Sequence, residues 1–382
     1  MGVRLADILG TVLSRYSGVL GVAPVVGKAL RAIVRCRTGE LGGHVKRCKQ
    51  GHVIGVWYNA CRNRMCPRCS FSRVQKWLER QVNILVGCPH HHIIFTIPHE
   101  LNELWSLNYK PLGELLFASS QEALFELASN PKYLGAQPGT VVALHTWGQQ
   151  LSRHPHVHCL ASAGGVTESG EWVSAHRRSF LPAEPLKRLF RAKYLYGLRG
   201  LLRRGELRLR DDQTVRGVEA LIEEAEHKRW NVHVCDRYES PLAVLNYLGR
   251  YLHGGPIGEK RLESFDGESV AFWYKDYRDR TSDGPKRKLM HLSVDEFVRR
   301  FAQHVPPKGF HMVRAYGPYR RGGKAKALRQ RIFEVAPVSL EVHESLSHPR
   351  VLRPEEPTVC PSCGSALEVV PLTRGHPVPR VA

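Results

Sequence analysis

The chain of 382 residues contains no uninterrupted apolar run long enough to span a bilayer. The N-terminal stretch MGVRLADILGTVLSRYSG is not a signal peptide, because Asp7 and Arg15 interrupt apolar residues that repeat at helical spacing. The sequence also lacks the GxxxxGK[ST] phosphate-binding motif and any internal repeat. These absences predict a cytoplasmic protein with no membrane partner and no fused replication helicase.

Acidic residues are scarce relative to basic ones. The chain has 35 Asp and Glu against 56 Lys and Arg, which gives a net charge of +21 and a pI near 9.8. Such an imbalance predicts a polyanionic partner, most simply a nucleic acid. The hydrophobic content of 42% is that of an ordinary globular protein, and the length suits two or three domains.

The ten cysteines are clustered in a way that favours metal binding over disulfides. Cys66-Pro-Arg-Cys69 is a knuckle whose two thiolates can bind one tetrahedral zinc, with Cys48 and Cys61, or His52, as further ligands. The segment holds more ligands than one site needs and one fewer than two closed sites need. We expect a subset to bind at least one structural Zn²⁺. The candidates are Cys36, His44, Cys48, His52, Cys61, Cys66 and Cys69.

A second Cys-x-x-Cys pair, Cys360-Pro-Ser-Cys363, lies near the C-terminus and is a candidate zinc half-site. In sequence, only His343, His348 and His376 are near enough to complete it.

Basic side chains accompany the cysteine segment and the C-terminal region. Arginines stand between the zinc candidates, Trp57 and Tyr58 add stacking surfaces, and residues 320–331 read RRGGKAKALRQR. We expect these residues to contact the DNA backbone without sequence specificity. The candidates are Arg62, Arg64, Arg68, Arg320, Arg321 and Lys324.

The order of elements predicts an α+β core with a mostly antiparallel sheet. Strands are expected at 91–98, 140–148, 156–165 and 231–236. Helices are expected at 4–20, 72–86, 111–129, 183–203, 215–228 and 240–252. The region after 256 is mixed, with a strand at FWYKDY and a helix at SVDEFVRRFAQHV, and the tail from 316 is basic and Pro-rich, so partly disordered.

The stretch HPHVHCL places histidines at alternate positions of a predicted strand, so their side chains share one face. His156 and His158 are candidate ligands of a catalytic metal, whereas His154 precedes Pro155 at a bend. Gln149 lies seven residues before His156 and is the expected cross-strand third ligand. A nitrogen and oxygen donor set with open positions suits Mg²⁺ or Mn²⁺ when phosphate oxygens complete it.

The predicted helix at 240–252 carries Tyr247 and Tyr251, four residues apart and nearly opposite its leucine stripe. Two such tyrosines are either surface residues or nucleophiles. A phenol titrates near ~10, so attack on phosphorus needs a metal close by. Arg250 stands between the tyrosines and can hold a phosphate of the backbone.

Taken in order, these segments resemble the HUH endonucleases, specifically the two-tyrosine rolling-circle transposases of bacterial insertion sequences. The resemblance runs through CRTGELGGHV, CRNRMCPRC, FTIPHEL, HTWGQQLSRHPHVH, NYLGRY and DEFVRRFAQHVPPKGFHMVRAYG. It implies a ferredoxin-like core in which one tyrosine attacks single-stranded DNA at an element end, giving a 5′-phosphotyrosine and a free 3′-OH. It also implies that His156, His158 and Gln149 bind the metal and that Tyr247 and Tyr251 are the nucleophiles.

The resemblance further implies three regions: a zinc-binding DNA-recognition module at 1–85, a nuclease core at 88–255 with an insertion at about 170–230, and a basic C-terminal region at 256–382. The expected partner is single-stranded DNA at the element ends and target, and the chain can form oligomers. Two alternatives remain open. One is a plasmid- or phage-type replication initiator or relaxase with the same chemistry, and the other is a non-catalytic, zinc-dependent DNA-binding protein.

Overall fold

The computed structural model describes residues 2–16, 23–69, 84–175, 181–239, 255–335 and 358–375. Within these ranges, no helix is both long and apolar enough to cross a bilayer. The helices are α1 (Leu5–Arg15), α2 (Pro24–Val34), α3 (Asn102–Leu107), α4 (Tyr109–Ser129), α5 (Ala183–Arg203), α6 (Val215–His227), α7 (Val294–Ala302) and α8 (Gly323–Val335). The strands are β1 (Gly43–Cys48), β2 (Val53–Tyr58), β3 (His90–Thr96), β4 (Gln137–Trp147), β5 (Arg153–Val166), β6 (Trp172–Ser174), β7 (Asn231–Tyr238), β8 (Leu262–Phe265), β9 (Ser269–Thr281), β10 (Gly284–Ser293), β11 (Val313–Tyr316) and β12 (Leu367–Leu372).

The chain has a mixed α+β fold in which all strand pairings among the described residues are antiparallel. The central sheet has the order β11-β4-β5-β3-β7, and β6 extends β5. Four of its strands occur along the chain in the order β3, β4, β5 and β7. Helix α4 lies between β3 and β4, and helices α5 and α6 lie between β5 and β7. The three inner strands, β4, β5 and β3, are paired on both sides, and nearly all of their residues are buried.

One face of the central sheet is covered by helices. Alternate residues of β3, such as Ile93 and Phe95, point into a core that also receives the apolar side of α5. Phe95 meets Phe190 of α5 edge to face at 5.1 Å between ring centroids. Helix α5 packs against α4 as well. The helices of the segment 170–230 thus supply part of the main core.

The opposite face of the central sheet is divided between two environments. Around Val141 and Leu160 it is covered by Tyr319 and by Ile332 of α8, and these side chains form a small separate core. Towards His145 and His158 the same face borders an open cleft. The sheet therefore has one fully packed face and one face that is accessible at the histidine end.

A second structural unit surrounds the N-terminal helices. Apolar residues of α1 and α2 pack with Phe272 of β9 and with Phe297 and Phe301 of α7. Ser293 caps α7, since its side chain accepts a hydrogen bond from the backbone N–H of Glu296. Residues 255–305 therefore share a core with the N-terminal residues, although they are far apart in sequence.

Most of the expected elements are confirmed, including the helices at 183–203 and 215–228 and the strand at FWYKDY. The expected helices at 72–86 and 240–252 lie largely or wholly outside the described residues. Partial disorder of the tail from 316 stays a prediction, and residues 323–335 of this tail form α8. Ile332 is buried there, and Arg329 donates to the carbonyl oxygens of Pro318 and Arg320 at 2.8 and 2.7 Å.

Candidate metal centre and nucleic-acid interface

Three histidines converge at the open end of the central sheet. His156 and His158 point the same way from β5, and His145 of β4 is paired directly with His156. Their ligand atoms all lie within 4.8 Å of one another, and the two Nε2 atoms of His156 and His158 are 3.1 Å apart. This distance allows a hydrogen bond between the two rings or, with both nitrogens unprotonated, a cation held between them. This histidine triad can hold a metal ion.

The strand register places His145 in the triad. Beyond His145 the β4–β5 pairing shifts by one residue, so Trp147 pairs with Arg153. The tight turn that follows contains Leu151 with φ of 58°, a conformation that is costly for a leucine. The turn is held from α7, because Gln303 Nε2 donates to the carbonyl oxygen of Leu151 at 2.9 Å. The end of β5 that carries the triad is thereby fixed in position.

In His156 and in His158, the ring nitrogen that faces away from the other histidine has a hydrogen-bond partner. Nδ1 of His156 is 2.7 Å from the carbonyl oxygen of His154, which can only accept, so Nδ1 carries the proton. Nδ1 of His158 is 2.9 Å from Nε2 of His92 on β3. With both Nδ1 atoms used in this way, the Nε2 atoms, which face each other, are the ones that can bind a metal.

Burial keeps these imidazoles neutral. Desolvation lowers the pKa of His156 and of His158 well below the usual value, and the nearby His145 lowers both further. Burial also lowers the pKa of His92 to about 3. Neutral imidazole is the form that binds metals, so His156 and His158 stay competent for binding at neutral and mildly acidic pH.

Gln149 does not lie opposite His156 as expected, because β4 ends at Trp147 and the register pairs His145 there. It lies in the same cleft as the triad, where its side-chain oxygen accepts a hydrogen bond from the backbone N–H of Lys275 at 3.4 Å. His154 lines this cleft too, and the residue is exposed.

The cleft has a volume of about 750 Å³, and β9 forms the wall that faces the triad. Tyr274, Lys275, Tyr277 and Arg278 of β9 line it, and the Tyr277 side chain is 60% exposed. Arg261 also lines it, and burial lowers the pKa of Arg261 to about 10, so the side chain remains charged at neutral pH. Exposed aromatic rings among cations are suited to binding single-stranded nucleic acid.

The candidate nucleophiles Tyr247 and Tyr251, together with Arg250, lie outside the described residues. The chain is described again from Gly255, and this residue lines the cleft of the triad. Gly255 also contacts the zinc module closely, since a Cβ at this position would lie 2.6 Å from the carbonyl oxygen of Met65.

A second basic groove brings together residues that the sequence placed far apart. Arg64 from the N-terminal segment and Arg320 and Arg321 from the C-terminal region line it together with Val141 and Val313. Val141 and His145 alternate onto the same face of β4, so this arginine groove and the triad share one face of the sheet. Arg62 and Lys324 are exposed and Arg68 is half-buried, but none of the three lines this groove.

Four of the five cysteines of the N-terminal segment form one compact four-thiol cluster. Cys36, Cys61, Cys66 and Cys69 have all their sulfur atoms within 4.8 Å of one another. Cys69 Sγ is 3.5 Å from Cys36 Sγ and 3.6 Å from Cys61 Sγ. With zinc–sulfur bonds of about 2.3 Å, a tetrahedral site has sulfurs about 3.8 Å apart. This cluster fits a structural Zn²⁺.

The remaining zinc candidates lie elsewhere. His44 stacks on Trp57 with ring centroids 5.5 Å apart and belongs to neither of the two cysteine-containing clusters found among the described residues. Cys48 and His52 turn away from the four-thiol cluster and meet Cys360 and Cys363. Burial raises the pKa of the Cys36 thiol to about 11, so metal binding at neutral pH displaces a proton there.

Comparison with known proteins agrees with this arrangement. A family described as a putative transposase matches residues 139–326, and one described as a transposase zinc-binding domain matches residues 9–97. The chain is 37% identical to a putative transposase, y4qJ, from Sinorhizobium fredii over 76% of this chain and 73% of that protein. It belongs to the insertion-sequence transposases with an N-terminal zinc-binding domain.

A second relative in this family is the transposase for insertion sequence element IS801 from Pseudomonas savastanoi pv. phaseolicola. It is 30% identical over 78% of this chain and 71% of that protein. The resemblance to rolling-circle insertion-sequence transposases is thereby confirmed at the level of the family. No solved structure matches the chain. Membership makes this transposase a DNA-binding protein that cuts and joins strands.

Several residues of the site could not be found in the sequence. His145 shares its face of β4 with Ala143 and Trp147, so β4 lacks the alternation of histidines that marks β5. His92 belongs to a run of three histidines, His90–His92, of which only the pairing of β3 with β5 selects one. Tyr277 and Lys275 lie more than 100 residues from the triad and reach it only through the fold.

Proposed function

We propose that this transposase nicks and rejoins single-stranded DNA at insertion-sequence ends by a metal-assisted tyrosine attack, in a rolling-circle route. The observation that carries the proposal is the histidine triad, in which imidazoles from two neighbouring strands bring their ligand nitrogens within 4.8 Å of one another. The triad lies in an open cleft bordered by cations and aromatic rings, where a phosphate of DNA can enter.

The core is proposed to be the ferredoxin-like HUH nuclease fold. Its chain order is strand, helix, strand, strand, helix, strand, and these four strands are arranged as β7-β3-β5-β4. In order of appearance this is the 4-1-3-2 arrangement of an antiparallel ferredoxin-like sheet. The metal ligands then come from the inner strand β5 and its neighbour β4, which hold them rigidly.

His145, His156 and His158 are proposed as the protein ligands of one divalent metal. Three imidazoles favour Mn²⁺ over Mg²⁺, because nitrogen donors suit the transition metal better. Three protein ligands leave open positions for water and for phosphate oxygens of the substrate. When bound, such a metal polarises the scissile phosphate and stabilises charge on the attacking and leaving oxygens. Gln149 lines the same cleft and is proposed to support this metal site.

Tyr247 and Tyr251 are proposed as the nucleophiles. The sequence places Tyr251 four residues before Gly255, and Gly255 lines the cleft. Four residues span at most about 14 Å, which bounds the distance from Gly255 to Tyr251 along the chain. Attack by one tyrosine oxygen on phosphorus forms a 5′-phosphotyrosine and releases a 3′-OH. The second tyrosine allows a further nick or strand transfer.

The DNA path is proposed to follow the open face of the central sheet. Lys275 and Arg278 on β9 offer charge to the phosphates, and Tyr277 offers an exposed ring for a base. Arg64, Arg320 and Arg321 continue this basic surface along β4. The distance along β4 from His145 to Val141 is roughly 13 Å at ~3.3 Å per residue. The two basic regions can therefore contact one continuous strand.

The decisive test is formation of a covalent protein–DNA adduct. Purified protein, Mn²⁺ and labelled single-stranded DNA carrying the element end are mixed, and the products are separated on a denaturing protein gel. We expect a labelled adduct that requires metal, persists in Tyr277→Phe and disappears in the double variant Tyr247→Phe/Tyr251→Phe. Tyr277→Phe is the matched control, because it removes a phenol that lines the same cleft.

The His156→Ala variant separates this function from DNA binding alone. We expect it to abolish adduct formation while the affinity for the same DNA, measured without metal, is largely kept. An adduct that survives in the double tyrosine variant would refute the nucleophile assignment. Equal loss of binding and cleavage in His156→Ala would instead favour a non-catalytic DNA-binding protein.

A further inference from the structure

Cys48 and His52 near the N-terminus meet Cys360 and Cys363 near the C-terminus in a second four-ligand cluster. His52 and Cys360 are 308 residues apart in the sequence. The match to the zinc-binding family ends at residue 97, so it does not include Cys360 and Cys363. From this cluster we propose a second structural zinc site that joins the two ends of the chain.

The distances in this end-joining site are those of a tetrahedral zinc. Nδ1 of His52 is 3.4 Å from Cys48 Sγ and 3.7 Å from Cys360 Sγ, and Cys363 Sγ is 3.7 Å from Cys48 Sγ. Bonds of about 2.3 Å to sulfur and about 2.0 Å to nitrogen place the ligand atoms about 3.6–3.8 Å apart. The four donors need no rearrangement to bind the ion.

Both halves of the site are knuckle turns of the kind that present zinc ligands. In the first, the backbone N–H of Gly51 donates to the carbonyl oxygen of Cys48, and Gly51 has φ of 87°. In the second, the N–H of Gly364 donates to the carbonyl oxygen of Cys360, and Gly364 has φ of 68°. Glycine is the residue that adopts this conformation without strain, so both turns are built for their ligands.

Apart from its backbone pairing with β1, the strand that follows the second knuckle makes few stabilising contacts. β12 pairs with β1 as an edge strand, yet none of its residues is fully buried. Its ion pair, Glu368 with Arg47, involves side chains that are about half exposed. Such a pair contributes little stability, on the order of 0–1 kcal/mol. Zinc binding would therefore add to the backbone pairing of β12 with β1 in fixing the C-terminal segment on the N-terminal module.

The first test is the zinc content of the full-length protein. It is measured in a His156→Ala background, which removes the histidine triad as an additional zinc site. In this background we expect two zinc ions per chain, one for each cysteine-containing cluster. When Cys360→Ser/Cys363→Ser is added, we expect one zinc ion per chain. His44→Ala is the control and should retain two, because His44 stacks on Trp57 outside both clusters. The proposal would be overturned by two zinc ions in the variant with both serine substitutions. A single zinc ion in the protein without these substitutions would also overturn it.

The second test does not depend on zinc counting. The protein is treated with iodoacetamide in the presence of zinc, and the alkylated cysteines are located by mass spectrometry. In Cys360→Ser/Cys363→Ser we expect Cys48 to become alkylated while Cys36 and Cys66 stay protected, which also shows that the first cluster is folded. Equal protection of Cys48 before and after the substitutions would contradict the joining of the chain ends.

Discussion

Nε2 of His92 lies 2.9 Å from Nδ1 of His158, and the two rings are stacked nearly parallel. When a metal occupies Nε2 of His158, the proton of this ring is on Nδ1, which then donates to Nε2 of His92. A buried neutral histidine on β3 thereby fixes the tautomer and the orientation of a proposed metal ligand on β5. His92 is a positioning residue rather than a ligand.

The His92→Phe variant tests this role. Phenylalanine keeps the ring but removes the acceptor, so the affinity of the triad for Mn²⁺ should fall about 10–100-fold. The affinity for single-stranded DNA without metal should not change. Mn²⁺ titration followed by electron paramagnetic resonance measures the first quantity. His91→Phe is the control, because neighbouring residues of a strand point to opposite faces. Unchanged Mn²⁺ affinity in His92→Phe would refute the positioning role.

His145→Ala and Gln149→Ala distinguish the two candidates for the third ligand. Loss of a direct ligand should lower the rate of adduct formation by more than the roughly 100-fold expected for a supporting residue. We expect this loss for His145→Ala. Gln149→Ala should have a smaller effect, since its side-chain oxygen is hydrogen-bonded to Lys275. The two variants are compared by their single-turnover rates of adduct formation, measured at saturating and at limiting Mn²⁺. The reverse order of effects would restore Gln149 as the ligand.

The arginine groove should contribute to affinity by neutralising phosphates of the DNA. Arg64→Ala, Arg320→Ala and Arg321→Ala should each weaken binding to single-stranded DNA of any sequence. The slope of log K against log salt should fall by about 0.7 for each phosphate that a variant no longer neutralises. Fluorescence anisotropy over a series of salt concentrations measures this slope. Arg204→Ala is the control, since Arg204 is paired with Glu206 in a different groove, on the helices. A slope that is equal in all four variants would exclude the groove from the DNA path.

His304 should make stability dependent on pH. Burial lowers its pKa to about 4, and its ring bonds Thr146 and the carbonyl oxygen of Leu151. Between about pH 6.5 and pH 4 the unfolded chain binds a proton that the folded chain does not. The free energy of unfolding therefore falls as the pH falls through this window, by up to about 1.4 kcal/mol per pH unit for this group.

Urea unfolding at several pH values measures this dependence. His304→Gln should be less stable at neutral pH but should lose less stability on acidification than the parent protein. Because both proteins contain the same zinc sites, loss of zinc at low pH affects both in the same way. Parallel pH profiles would show that His304 does not titrate in this manner.

The sequence alone predicted the transposase family and much of the fold. Alternation of His156 and His158 fixed their common face, because the side chains of a strand repeat every two residues. The Cys-x-x-Cys pairs predicted zinc, and the periodicity of residues 183–203 and 215–228 predicted two helices that the structure contains. Local patterns are sufficient for such features, because short-range geometry controls them.

Only the tertiary structure decided which distant residues meet. The register of β4 placed His145 opposite His156, and the pairing of β3 with β5 selected His92 from three consecutive histidines. The pairing of β12 with β1 brought Cys360 and Cys363 to Cys48 and His52, where sequence proximity had suggested histidines of the tail. Strand register and chain closure depend on packing across the whole chain, so no local pattern of residues specifies them.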